Sequence, residues 1–346
     1  MSKPGTRVLV VRLGAIGDVV MALPLAGALK REHPGIFISW LVEEAAAPLV
    51  AACPLVDETL LFPKGAWLKN LKQKKLLFLF KEAGRFFQDL SQKRFDLLLD
   101  LQGLLKSRLL SFSVRHGLRL GFSSKEGGDF LFHGLLPRQG PKGLMGKEYR
   151  AFVHKLGAEI EPWALSLAIP EEARQKSLGL LQEEGVEGPY ILFCPATTRP
   201  QKYWPSRHWG RLAESLGHAG YACVAVGGPG DILLGKEISQ ASHGALTSFC
   251  GRTSLLESAA LMEGAAAVIG VDTGMTHLSM SLKKPTVALF GSTRPYTSPP
   301  HPQAMILYHE LSCAPCRRRP SCKGKYTCLE ELLPQEVLAA TEKVLL

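Results

Sequence analysis

No stretch of this 346-residue sequence holds the roughly 18–20 uncharged apolar residues that a membrane-spanning helix needs. The best runs, Val19–Leu29 and Ala45–Val56, are shorter and contain proline, which excludes a spanning helix. A signal-peptide cleavage pattern is missing too: MSKPGTRVLVV leads straight into a strand-like run, and the expectation is a cytosolic chain. Glycine (34) and proline (23) are too sparse for a collagen-like chain, and 46% hydrophobic residues are too many for a disordered one. Repeats of solenoid period and low-complexity tracts are absent, as are the signatures of RNA- or DNA-binding modules. So is G-x-G-x-x-G after the first strand-like run, which counts against a nicotinamide-dependent oxidoreductase.

What is present suits two domains of about 150 residues each. Strand-like runs at Arg7–Leu13, Phe37–Val42 and Phe95–Leu101 are each followed by helical pattern, the first by a helix from about Val19 to Arg31. The pattern breaks near Leu165–Pro170, and an acidic helix with Glu171, Glu172, Glu183, Glu184 and Glu187 follows. A second series runs through Tyr190–Cys194, a helix at Trp209–Ala219, and strands at Ala222–Val226, Ala266–Val271 and Thr286–Phe290. Strands alternating with helices indicate parallel sheets covered on both faces. The expected class is α/β, two doubly wound Rossmann-like domains, residues 1–170 and 171–346. In such domains ligands lie at the carboxyl ends of the strands, here facing a cleft between the two.

The charge is uneven. Net charge is +10, and the stretch Leu61–Lys125, with 14 Lys/Arg against 4 Asp/Glu, accounts for all of it. Lys69, Lys72, Lys74, Lys75, Lys81 and Arg85 are interleaved with Trp67, Leu68, Leu71, Leu76, Leu77 and Phe78. That amphipathic block suits an anionic partner such as a phosphorylated glycolipid, a membrane surface or a nucleic acid, or else is a solvated helix face.

Five loops carry candidate chemistry. GAIGD (Gly14–Asp18) follows the first strand. Its glycines permit a tight strand-to-helix turn, and the helix dipole there favours a charged carboxylate. A pyrophosphate would be repelled by Asp18, so this is not a dinucleotide loop; Asp18 is either a helix cap, worth about 1 kcal/mol, or a general base. ATTRPQKYWP supplies Thr197, Thr198 and Lys202 just after a strand, a set of hydroxyl donors and one mobile cation suited to a diphosphate. GVDTGMTHL places Asp272, Thr273 and Gly274 at a strand-to-helix turn with His277 in the first turn, where helix amides bind phosphate; the plain alternatives are a cap and a packed histidine. Asp231 in GGPGD is a ribose acceptor or a turn residue. Thr253, beside Ser254, lines a nucleotide base or belongs to a helix cap.

Near the carboxyl terminus Cys313, Cys316, Cys322 and Cys328 form C-x2-C-x5-C-x5-C. Structural zinc and reduced free thiols both remain open for them, with disulfides disfavoured in a reducing compartment. Cys53, Cys194, Cys223 and Cys250 sit among apolar residues and read as core.

Taken together these residues resemble the lipopolysaccharide heptosyltransferases, glycosyltransferase family nine, over nearly the whole chain. The carriers are RVLVVRLGAIGDVVMALPLAGALK, DLQGLLKS (Asp100–Ser107) and GVDTGMTHLSMSLKKPTVALFGST, while ATTRPQKYWP is nearer to heptosyltransferase I than to heptosyltransferase II. The resemblance implies the GT-B fold and inverting transfer of L-glycero-D-manno-heptose from ADP-heptose to a Kdo sugar on lipid A. It implies Asp18 as catalytic base, with Thr197, Thr198, Lys202, Asp272, Thr273, Gly274 and His277 on the donor. Thr253 and Asp231 fall near further nucleotide contacts. No cofactor is implied for catalysis. The basic stretch then gains a role in docking the acceptor's phosphates and carboxylates, with Lys64, Lys69, Lys72 and Lys106 as candidates, and the chain is expected to sit peripherally on the cytoplasmic face of the inner membrane. The rivals are a heptosyltransferase II or another ADP-heptose enzyme with a different acceptor, and, from another class, a zinc-stabilised nucleic-acid-binding protein.

Overall fold

A computed structural model describes residues 5–138, 143–293, 295–296, 298–316 and 319–346. The chain forms two compact units, Met1–Pro141 with Gly146–Ala168, and Lys142–Met145 with Ile169–Leu346. Among the described residues no helix is long and apolar enough to cross a membrane.

The first unit runs β1 (Arg7–Val11), α1 (Ile16–Ala22), α2 (Pro24–Glu32), β2 (Phe37–Glu43), α3 (Ala47–Ala51), β3 (Glu58–Phe62), α4 (Lys64–Lys72), α5 (Leu76–Gln92), β4 (Arg94–Asp100), α6 (Leu105–Phe112), β5 (Arg115–Phe122), β6 (Gly134–Leu136) and α7 (Lys147–Lys155). Its strands make one parallel sheet in the order β3-β2-β1-β4-β5-β6. β1 lies between β2 and β4, with Val8 opposite Ile38 on one side and Leu97 on the other. Both of its faces are covered, which is why VLVV is an unbroken apolar run. The helix expected over Val19–Arg31 is two helices. Pro24 has no N–H to donate and its ring crowds the preceding turn, so α1 ends and α2 starts with Pro24 as its first residue.

α4 and α5 form a helical hairpin. At its root Trp67, Phe86 and Phe87 pack on Phe62, with Phe62–Trp67 ring centroids 5.1 Å apart and Trp67–Phe86 5.7 Å apart. Asn70 Nδ2 donates to Glu82 Oε2 across the pair at 2.7 Å.

The second unit runs α8 (Glu171–Glu183), β7 (Tyr190–Cys194), α9 (Ser206–His218), β8 (Ala222–Ala225), α10 (Ile232–Ala241), β9 (Leu246–Ser248), α11 (Leu255–Gly264), β10 (Ala267–Val271), α12 (Gly274–Ser281), β11 (Thr286–Phe290), β12 (Ala304–Tyr308), α13 (Thr327–Glu330) and α14 (Pro334–Leu345). Its parallel order is β12-β11-β10-β7-β8-β9. One side of the sheet is filled by Phe193, Trp204 and Trp209 against Leu332, Val337 and Val344. The Trp204 indole donates to the Leu332 carbonyl at 2.8 Å, so burying that ring leaves its N–H satisfied.

Each sheet reverses its winding once, between β1 and β4 in the first unit and between β7 and β10 in the second. At such a point the loops leaving the two adjacent strands diverge and leave a crevice at their carboxyl ends.

Candidate functional site

In the second unit the reversal point gathers most of the donor-binding candidates. The loop after β7 carries Thr197 and Thr198 and turns through Pro200–Lys202; the loop after β10 carries Asp272. Lys202 Nζ reaches from one to the other, 2.5 Å from Asp272 Oδ2 and 3.3 Å from the Asp272 carbonyl. His277 Nε2 approaches the other carboxylate oxygen at 3.2 Å, and Thr293 Oγ1 donates to Oδ2. Burial alone would raise the Asp272 pKa, but His277 and Lys202 outweigh it and hold the carboxyl far below the usual carboxylate range.

His277 Nδ1 lies 3.1 Å from Tyr296 Oη, and that hydroxyl donates to Met280 Sδ at 3.2 Å. Burial pushes the Tyr296 hydroxyl well above its ordinary pKa, with the Asp272 charge adding to it, so it stays a neutral donor. Thr273 is the N-cap residue of α12 and its side chain makes no cap bond, while Gly274 is the first helical residue. The amides of this turn therefore begin a helix whose N-terminus suits an anion. Thr293 and Tyr296 have no signature in the sequence; only the fold returns them to Asp272 from beyond β11.

The Thr197 carbonyl accepts from Tyr203 Oη at 2.5 Å, and Thr198 is exposed. Two of the softer candidates join only their own loops. Asp231 Oδ2 accepts from the Gly228 amide at 2.8 Å and so closes its own turn. It borders an open cavity of about 610 Å3 shared with Pro200, Tyr203, Arg207 and Glu237. Thr253 Oγ1 is 2.8 Å from Ser258 Oγ, and Ser254 is the cap, taking the Glu257 amide while Glu257 returns to the Ser254 amide.

The first unit repeats the plan at its own reversal point. Arg12 and Leu13, just past β1, are tied to the end of β4: Arg12 Nη1 donates to the Leu101 carbonyl at 3.0 Å, and the Leu13 amide to Gln102 Oε1 at 3.2 Å. Asp18 is the third residue of α1. It accepts from the Ala15 amide at 3.3 Å and pairs with Arg12 Nη2. The cap reading thus holds, yet Asp18 keeps 38% of its side chain exposed whereas Arg12 keeps 5%. Arg12, over the buried Tyr149 ring at 5.7 Å, holds the carboxylate without covering it. A lone arginine closing an apolar strand was the available signal for this residue.

Glu43, at the end of β2, is another partner that the spacing of motifs does not reveal. Lys64 Nζ lies 2.9 Å from one of its oxygens and Lys106 Nζ 3.0 Å from the other. Burial opposes ionisation, but the two lysines hold the Glu43 carboxyl below its usual range. Lys64 and Lys106, expected as free cations, are thus paired: an anionic ligand meets one net positive charge here rather than two. Lys69 and Lys72 stay exposed on α4, beside Gly65, Leu68 and Gln73.

The DLQGLLKS segment is structural at its head. Buried Asp100 accepts from the Gln102 and Gly103 amides at 2.9 and 3.0 Å and from Ser107 Oγ at 2.9 Å. Burial pushes its pKa up despite these donors. Gly103 sits at φ +60°, where a side chain would also strike Phe122 and Arg138.

For the carboxyl-terminal cysteines the sequence leaves zinc and reduced thiols open. Cys313, Cys316, Cys322 and Cys328 do converge, lining one cavity of only about 10 Å3 with Gln201, Ser292 and Tyr326. Burial, reinforced by the neighbouring cysteines, pushes the Cys328 thiol up to about 11. Zinc needs thiolates at ligating geometry, and among the described residues no group of three or more His, Cys, Asp or Glu could hold a metal ion. Zinc is therefore not shown, and the four cysteines stand as neighbouring thiols. Cys53, Cys194, Cys223 and Cys250 are buried, as expected of core residues.

With these two reversal points described, the comparison with known proteins becomes specific. Residues 83–327 match the model of glycosyltransferase family 9 (heptosyltransferase). The chain belongs to this family. It is a heptosyltransferase, an enzyme, and its fold is of GT-B type. It is 30% identical to lipopolysaccharide heptosyltransferase 1 of Pseudomonas aeruginosa, over 98% of both chains. It is 26% identical to lipopolysaccharide heptosyltransferase 2 of Salmonella typhimurium, again over 98% of both. The solved structure of the E. coli heptosyltransferase WaaC with ADP-2-deoxy-2-fluoro heptose superposes with a TM-score of 0.73 at 24% identity, covering 97% of this heptosyltransferase and 99% of that chain. Membership of this family removes the nucleic-acid-binding alternative.

Proposed function

We propose that this heptosyltransferase moves L-glycero-D-manno-heptose from ADP-heptose to a Kdo residue of the lipopolysaccharide inner core, with inversion at the anomeric carbon. The donor belongs to the second unit, residues 171–346, and the acceptor to the first, residues 1–170. The observation that carries the reading is the Lys202–Asp272–His277 cluster at the β7/β10 reversal point, beside the start of α12 at Thr273 and Gly274, where the N-cap side chain makes no cap bond. The names of the curated relatives, and the ADP-2-deoxy-2-fluoro heptose with which the E. coli enzyme was solved, support the donor. The ATTRPQKYWP segment is what supports heptosyltransferase 1 rather than heptosyltransferase 2 in this reading.

In this reading Asp18 takes the proton of the acceptor hydroxyl as its oxygen attacks the anomeric carbon and ADP leaves. Negative charge gathers on the diphosphate as the bond breaks, so the groups that matter most are those bound more tightly to the leaving group than to the intact donor. Lys202 is such a group. Asp272 keeps its ammonium in place before the donor arrives, and the diphosphate then competes with Asp272 for it. Thr197, Thr198 and the amides around Gly274 supply neutral donors. Asp231 offers its carboxylate to a ribose hydroxyl, and Thr253 lies on the nucleotide side. Lys64, Lys69, Lys72 and Lys106 meet the acceptor's phosphates and carboxylates, which requires the first and last of these to share Glu43. A lipid-borne acceptor also places the enzyme peripherally on the cytoplasmic face of the inner membrane.

The test is a panel of nucleotide sugars offered with Kdo-lipid A. Consumption of ADP-heptose alone, with one heptose added to Kdo, supports the reading. Transfer only to an acceptor that already carries a heptose replaces it with the heptosyltransferase 2 reading, and consumption of another nucleotide sugar overturns it.

A further inference from the structure

The α4–α5 hairpin has a root that belongs to the core and a tip that does not. Along α5 the residues facing inward, Phe86, Phe87 and Leu90, recur at helical spacing and join the first unit's core. In the first turns of α5, beyond that core, Leu77 and Phe80 are 89% and 71% exposed. Leu71, Leu76 and Phe78 are exposed beside them. A soluble surface does not normally cluster large apolar side chains this way, so the tip is built to be covered.

Charge decides by what. From Leu61 to Lys81 the chain has six lysines and no acidic residue. The next carboxylate along the chain, Glu82, accepts from Asn70 Nδ2 at 2.7 Å. Lys74, in the left-handed region at φ 56°, makes the sharp turn that brings Lys72, Lys74 and Lys75 together at the apex. A second copy of this tip would meet it with like charge. A nucleic acid would answer the lysines but give Leu77 and Phe80 nothing. An anionic bilayer answers both, with phosphates at the headgroup level and acyl chains just beneath.

We propose that the hairpin tip, Leu71–Lys81, seats in the interface of an anionic phospholipid bilayer, with Leu77 and Phe80 inserted and Lys74, Lys75 and Lys81 among the headgroup phosphates. The inference deepens the lipid-borne acceptor reading above and rests on it for its biological purpose, though its test needs neither donor nor acceptor.

The protein is sedimented with vesicles containing phosphatidylglycerol and, separately, with purely zwitterionic vesicles. It binds the first, binds the second far less, and is released from the first by salt. Replacing Lys74, Lys75 and Lys81 together by Gln weakens binding on the order of a hundredfold, about fivefold per lysine. The pair Leu77→Glu and Phe80→Glu weakens it by at least about tenfold. Phe80→Trp gives a fluorophore whose emission shifts to the blue on binding and is quenched by brominated acyl chains. An unchanged calorimetric transition of the first unit in each variant shows that its fold survives.

Equal binding by the variants, equal binding to zwitterionic vesicles, or a Phe80→Trp signal unmoved by brominated lipid overturns the proposal. So does a concentration-dependent oligomer that the Leu77→Glu and Phe80→Glu pair abolishes, which would assign the tip to a second copy. Vesicle binding without heptose transfer would sink the functional reading and leave the docking surface standing; transfer without vesicle binding would do the reverse.

Discussion

Asp18 shows how one side chain serves two ends. Its carboxylate closes the first turn of α1 and is held by Arg12, yet more than a third of it is open to an incoming hydroxyl. Asp18→Ala is therefore expected to lower kcat by about 10²–10⁴-fold, the range of a positioned base, with ADP-heptose affinity nearly unchanged by calorimetric titration. Near-normal kcat would return Asp18 to a cap alone. Asp272 carries the opposite burden, since it is nearly buried and answered by two basic side chains. Its folded pKa is lowered, so the stability it contributes is present at neutral pH and is lost as pH falls through and below about 4, the unfolded carboxylate range. Asp272→Asn is expected to cost roughly 3 kcal/mol at neutral pH, because Lys202 is left without its carboxylate, and to flatten the acid limb of the melting-temperature profile. An unchanged acid limb would mean that another carboxylate governs it. Asp18, Lys202, Asp272 and His277 could all be named from their spacing after strands. Glu43, Thr293 and Tyr296 could not, because each reaches its partner from another element and has no local signature, whereas Arg12 has only the slight one of a lone arginine closing an apolar strand.

At the scale of elements, the strand-to-helix turns at the carboxyl ends of the central strands do the positioning. β10 and α12 approach so closely that a side chain at Gly270 would collide with Thr276 Oγ1 and would meet Cys194 Cβ at 2.9 Å. Thr276 itself donates to the Val271 carbonyl at 2.6 Å, fastening the helix to the strand. Gly270→Ala should thus displace the N-terminus of α12, destabilise by about 1–3 kcal/mol, and weaken ADP more than it weakens the fold. A variant with lower melting temperature and intact ADP affinity would show that the turn is not a phosphate site. The central strands β1, β4, β7, β10 and β11 were legible because burial on both faces makes their sequences continuously apolar. β5, with RHGLRLGF, and the three-residue β6 and β9 lack such a run, while β12, AMILY, has one as long as those of the central strands and is placed as an edge strand only by its pairing with β11. The joint at Leu23–Pro24 was misread for a different reason: a proline can begin a helix as readily as it interrupts one.

For the whole molecule, two sheets with separate cores make ligand effects separable. ADP binding to the second unit is expected to raise that unit's calorimetric transition, by about 2.7 kcal/mol at a hundredfold excess over Kd. A shift confined to the first unit's transition would move the donor there. By itself the sequence determined the two α/β series, their central strands and the loops that bear chemistry. Those features are local, being set by apolar continuity along strands and by glycine, hydroxyl and acidic residues where strands end. Only the tertiary structure decided which charges are already spent. Lys64 and Lys106 meet on Glu43, Lys202 and His277 meet on Asp272, and the four carboxyl-terminal cysteines gather around one small cavity. Pairing is a matter of which residues the sheet order brings within a few ångströms, and nothing in the spacing of residues along the chain encodes that distance.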